Sequence, residues 1–174
     1  MSLENVIKVN GHVKIFDSEK VFLENFNHIN VRNVATLIGR ALVKIDNSSV
    51  YMLKVGNGGI AQDGSFKPLK ITHADTDLYS PINSSSIILD STDDNHSEGS
   101  SVVMTLSGNG TISIVNTAVI SRSMAELTPL QINELGLFSK DGLMLSHLIF
   151  SQITIQPGSS KNIVYTVSFD INGS

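Results

Sequence analysis

The stretch Asn162-Ile163-Val164-Tyr165-Thr166-Val167-Ser168-Phe169-Asp170-Ile171 decides the fold class. Ile163, Tyr165, Val167, Phe169 and Ile171 alternate with Asn162, Thr166, Ser168 and Asp170. Period two over that length describes a β-strand with one buried and one wetter face. Working back along the chain, Ile112, Ile114, Ala118 and Ile120 also share a strand face. Val102–Leu106, Leu130–Phe138 and Leu143–Phe150 read as further strands, punctuated by Ser107-Gly108-Asn109-Gly110 and Lys140-Asp141-Gly142. Short strands with Gly/Ser turns predict one mainly-β domain over residues 1–174, an antiparallel β-sandwich of jelly-roll or immunoglobulin-like type.

The N-terminal half is more mixed. Val6–Val9 and His12–Phe16 flank Asn10-Gly11, whose tolerance of positive φ predicts a type I′ hairpin turn. Asp17–Lys20 predicts a second turn before a short strand, Val21–Leu23. From 31 to 45 the period changes: Val34, Leu37, Ile38, Ala41, Leu42 and Ile45 recur at helical spacing, with Asn30 placed to cap. Gly39 weakens that helix by about 1 kcal/mol relative to Ala, or admits a close backbone neighbour. Tyr51–Val55 reads as a strand running into Gly56-Asn57-Gly58-Gly59, and Ser86–Leu89 as another. Between them, residues 60–86 form a turn-rich segment longer than a connection needs, which predicts a job at a protein–protein contact. Asp90 to Ser100 reads as an exposed loop.

Composition narrows the function classes. The chain has 174 residues, 41% hydrophobic and 16% charged, so wholesale disorder is excluded. A net charge of −4 gives no general attraction to nucleic acid or anionic membranes. No window approaches the roughly 18 apolar residues of a spanning helix, and Met1–Asn5 lacks the features of a secretory signal. Synthesis in a cytoplasm is expected. The absence of cysteine removes disulfides, thiolate catalysis and thiolate-bound metals. Serine (24) and asparagine (15) make a polar, weakly charged surface, which suits a structural protein.

No catalytic or cofactor-binding constellation emerges. His12, His28, His73, His96 and His147 show no ligand spacing, and no serine sits in a nucleophile motif. Gly56-Asn57-Gly58-Gly59 follows a strand but opens no helix, so a tight structural turn is expected rather than a phosphate cradle. The Asp90–Glu98 loop has oxygens for Ca²⁺ but not the spacing of a calcium loop, and is expected to be solvated. The sequons beginning at Asn47, Asn83 and Asn95 read as coincidence in so Ser/Asn-rich a chain.

One phase error stands out. Leu130 and Ile132 belong to one strand face, and Leu135 and Leu137 to the other. The slip predicts a β-bulge near Asn133-Glu134, with Glu134 hydrogen-bonded because an unpaired buried charge is very costly.

Three stretches together resemble a family of structural proteins from tailed bacteriophages. They are Gly11-His12-Val13-Lys14-Ile15-Phe16-Asp17; then Leu53–Ile60 with its Gly56-Asn57-Gly58-Gly59 turn, followed by Asp77-Leu78-Tyr79; then Asn133-Glu134-Leu135-Gly136-Leu137-Phe138 with Leu145-Ser146-His147-Leu148-Ile149-Phe150. The resemblance implies a non-enzymatic virion protein without cofactors or metals, made in the host cytoplasm and assembled in several copies. It would sit at the neck, collar or head–tail junction, against itself and capsid, connector or tail proteins, with no nucleic acid or membrane partner. Its structural motif residues would be Gly56, Asn57, Gly58, Gly59, Glu134, Leu135, Gly136, Leu137 and His147. The alternatives are a capsid decoration protein, or a receptor- or carbohydrate-binding tail or baseplate module, the latter weakened by three Tyr and no Trp for sugar stacking.

Overall fold

In the computed structural model the described residues are 7–59, 71–72, 74–82, 85–108 and 110–170. Among them, alternation builds nine strands: β1 (Lys8–Phe16), β2 (Val21–Ile29), β3 (Val50–Gly56), β4 (Ile87–Ile88), β5 (Ser101–Leu106), β6 (Thr111–Ser121), β7 (Leu130–Ser139), β8 (Met144–Ile155) and β9 (Ser160–Asp170). One helix, α1 (Val31–Leu42), follows β2. The strands form a single sheet in the order β4-β3-β7-β8-β2-β1-β9-β6-β5, every pairing antiparallel.

The sheet curls into a half-barrel, which matches the expected mainly-β, antiparallel architecture with one helix. Two separate stacked layers are not seen, because β2 pairs with β1 through Gly11↔Asn27 and with β8 through His28↔His147. Curling lets both walls share one core: Val13, Ile15, Ile163 and Tyr165 meet Leu53, Val55, Leu135, Leu137 and Leu148.

Asn10-Gly11 does not turn the chain; both residues lie inside β1, paired with β9 on one side. The reason is tertiary. A Cβ on Gly11 would stand 2.0 Å from Asn27 Oδ1, so glycine lets the Asn27 side chain lie across β1. Asn27 Nδ2 there donates to Tyr165 Oη and Ser146 Oγ, the Tyr165 hydroxyl donates to Ser146 Oγ, and Ser146 donates to the His28 carbonyl at 2.7 Å. This polar tie joins the two walls through the core, and complete burial pushes the Tyr165 phenol up.

Asn30 caps α1 as expected, accepting the Asn33 N–H at 3.2 Å, but the helix stops at Leu42 rather than 45. Lys44 takes φ 56° and donates to the Ala41 carbonyl, while Ile45 N–H reaches back to Arg40 at 3.0 Å. That pair of bonds is a Schellman closure, here with lysine in the left-handed position usually held by glycine. Val34 and Leu37 enter the core, whereas nothing lies within 4 Å of a Cβ built on Gly39. Of the two readings of Gly39, the close backbone approach is therefore absent.

Strand limits also move. β2 runs on to Ile29 and β8 to Ile155, both through polar residues, whereas β4 keeps only two residues of Ser86–Leu89. The 90–100 loop is a series of turns: Asp90 accepts the Thr92 N–H and hydroxyl, and Asp93 the Asn95 N–H and the Tyr51 hydroxyl. Those bonds hold both carboxyls below their ordinary range. Expectations placed on Val6, Asn109, Ile171, His73, Asn83 and residues 60–70 lie outside the described residues.

Candidate functional site

The irregularity expected beside Glu134 is present and involves two strands. Between the pairs Ile132↔Ile153 and Glu134↔Ile149, β7 advances two residues while β8 advances four. Both strands change faces here. Leu130 and Ile132 lie in the core, then Leu135 and Leu137 do; on β8, Ile155 and Ile153 give way to Phe150 and Leu148. Glu134, Gly136 and Phe138 are thereby turned to the outer side of the sheet, together with His147, which is paired with Gly136.

That outer side is not left to water. The chain from Asp77 to Ile82 crosses it as a strap, with Leu78 packing against Phe138 and Met144. The Tyr79 N–H donates to Glu134 Oε1 at 2.7 Å and the Ser80 N–H to Oε2 at 3.2 Å. His147 Nε2 lies 2.8 Å from Oε1, where it donates to the carboxylate. The Glu134 and His147 side chains are 0% and 1% exposed, and the Tyr79 ring tilts over the imidazole with centroids 5.4 Å apart. Each carboxylate oxygen thus has a donor, which is what makes burial of this charged group tolerable.

The end of β3 and its turn fix the strap from the other side. Asn57 N–H donates to the Ser80 carbonyl at 3.0 Å, Ile82 N–H to Val55 at 2.9 Å, and Ser80 Oγ to Asn57 Oδ1 at 2.7 Å. Lys54 Nζ lies 3.0 Å from both oxygens of Asp77 and 4.4 Å above the Phe138 ring. The glycines make room. A Cβ on Gly56 would stand 2.5 Å from Glu134 Oε2 and 2.7 Å from the Ser80 carbonyl, and one on Gly58 2.7 Å from the Ser80 nitrogen. Gly59 adopts φ 78°, against Ile149, and a Cβ on Gly136 would meet Phe138 at 2.7 Å and Leu78 at 2.9 Å.

The structure therefore brings together Gly56, Asn57, Gly58, Gly59, Glu134, Gly136 and His147, while Leu135 and Leu137 point oppositely into the core. Sequence reading gave three participants no site role, although Tyr79 and Asn133 lie in the stretches it singled out. Tyr79 and Ser80 act through backbone N–H groups, which no side-chain motif announces, and Asn133 Nδ2 reaches the Asn57 carbonyl at 3.4 Å. The face change at Glu134 was the available signal.

A carboxylate holding an imidazole supplies two parts of an acyl-transfer triad. The third is not in place: among the described residues, buried His147 Nδ1 has no hydrogen-bonding partner. Asp75, which the Tyr79 hydroxyl reaches at 3.2 Å, is opposed by partial burial. Its bonds from Thr72 and Tyr79 outweigh this and hold the carboxyl below its usual range. Among the described residues no His/Cys/Asp/Glu group is arranged to hold a metal, and no helix is long and apolar enough to cross a membrane. What the arrangement does is clamp the strap onto the sheet.

No family model, curated protein or solved structure matches this chain.

Proposed function

We propose that this chain is a non-enzymatic structural protein of a tailed-bacteriophage particle, present in several copies at the neck, collar or head–tail junction. The observation that carries this reading is the convergence of the Gly56–Gly59 turn, Glu134, Gly136 and His147 on one sealed clamp. These are the residues through which the chain resembles the phage family. In the clamp the Glu134 carboxylate and His147 Nε2 are spent on internal bonds, a role that shapes the fold and leaves surface for assembly. The curled antiparallel sheet supplies the rigid scaffold such a part requires.

Mass spectrometry of purified particles of the encoding phage tests the reading. Stoichiometric recovery of the chain, cross-linked to capsid, connector or tail proteins, is the expected result. Its absence from intact particles contradicts it.

A further inference from the structure

The two edges of the sheet are finished differently. At β4 the edge is closed by the chain itself: Ile88 N–H donates to Ser97 Oγ at 2.9 Å, and the Ile88 carbonyl accepts the Ser97 N–H at 3.0 Å and the Ser100 hydroxyl at 2.8 Å. At the other end of the strand order stands β5, paired with β6 alone.

The register shows which backbone groups β5 leaves open. Ser107 N–H donates to the Thr111 carbonyl at 2.9 Å, so this is a hydrogen-bonded pair. Such pairs alternate along an antiparallel ladder. Ser101, Val103 and Thr105 therefore bond to β6, and Val102, Met104 and Leu106 direct N–H and C=O outward. The side chains are exposed all along Val102 to Leu106, most at Met104 and Leu106, each 71% exposed. Between β5 and α1 runs an apolar groove of about 430 Å³, lined by Leu37, Ile38, Leu89, Val102, Met104 and Ile114.

Native edges are ordinarily blunted by charge, proline or a covering loop. β4 has the loop; Ser101 to Leu106 carries no charged residue and no proline, and among the described residues no loop pairs with its outer edge. We infer that β5 is a pairing edge for a second copy of this chain, joined antiparallel about a two-fold axis at Met104.

Three observations select that occupant. Head-to-tail pairing of β5 with β4 is blocked by Ser97 and Ser100, so β5 against β5 is the edge pairing left between copies. The strand is uncharged, so two copies meet without like-charge repulsion despite a net charge of −4 each. The open residues are symmetric about Met104: Val102 faces Leu106 of the second copy, and Met104 faces Met104. Each pair exchanges both N–H···O bonds, while Met104 and Leu106 side chains from each copy enter the other's groove. A closed two-fold contact of this kind is isologous and does not propagate. It adds a contact to the multi-copy reading above and rests on that reading only for its setting, since solution measurements need no particle.

Sedimentation equilibrium of the full-length protein is the test. Six-residue edges form a small interface, so dimerisation is expected at micromolar concentrations. The mass should rise from 18.8 kDa toward twice that value. Met104→Pro deletes an outward N–H without breaking a β6 bond, and should return the monomer with unchanged circular dichroism. If that variant misfolds, Met104→Lys, which sets two charges face to face on the axis, carries the same expectation. A monomer at every concentration overturns the inference, as does a dimer that survives whichever variant stays folded. Particle assembly can fail or succeed independently of either result.

Discussion

β7 and β5 lie in one antiparallel sheet, and both read as apolar strands, yet their surroundings differ completely. From Ile132 to Ser139 every residue of β7 is buried, on both faces, whereas β5 is exposed from Val102 to Leu106. The difference does not lie in strand propensity. It lies in what crosses the outer face. Over β7 and β8 the Asp77–Ile82 strap is clamped by a buried carboxylate, whereas among the described residues no such strap crosses β5, which borders the α1 groove. Polar groups were committed where closure matters. Backbone groups stay uncommitted where another strand can add.

The sharpest way to break this contrast is to remove the clamp. Glu134→Ala leaves His147 and the Tyr79 and Ser80 N–H groups without their acceptor, and should cost about 3–5 kcal/mol in urea unfolding. A loss no larger than a surface substitution would mean that the strap is not held by Glu134. Next in size is Gly56→Ala, whose methyl meets Glu134 and the Ser80 carbonyl. It should cost about 1–3 kcal/mol, with faster proteolysis within residues 77–82.

How much of this was legible differs between the same two regions. β6 and β9 follow from alternation, because each has one more buried face and a regular ladder, while β5 reads as a short apolar run. α1 follows from its 3.6 period and Asn30, though not its Schellman stop at Lys44. The sites of failure are those where a distant residue decides the conformation. Asn10-Gly11 has the local chemistry of a turn, but Asn27, sixteen positions on, requires a flat glycine inside a strand. In β2 beyond Leu23, Asn27 is polar because it serves the buried tie to Tyr165 and Ser146. At the clamp, the phase slip marked Glu134 correctly as a residue needing partners. Besides His147, its partners are main-chain groups of Tyr79 and Ser80, and backbone donors leave no trace in residue identity. The β5 edge is invisible for another reason: an uncharged run reads the same whether a neighbour covers it or not.

Two smaller effects sharpen the comparison from the open side. Gly39→Ala fills empty space in the α1 interior and should stabilise by about 0.5–1 kcal/mol in thermal unfolding. Destabilisation there would show that α1 packs more closely than described. Leu106→Thr, on the open edge, should change monomer stability by no more than about 0.5 kcal/mol at dilute concentration. A large loss would mean that β5 is already covered within its own chain.

Residue-resolved amide hydrogen exchange on the full-length protein, at two concentrations a hundredfold apart, tests the central contrast most directly. The Tyr79 and Ser80 amides, bonded to buried Glu134, should be strongly protected and equally so at both concentrations. The Val102, Met104 and Leu106 amides should exchange freely in the dilute sample and gain protection in the concentrated one, while Val103 and Thr105 stay protected throughout. Free exchange at Tyr79 and Ser80, or concentration-independent exchange at Met104, would contradict it.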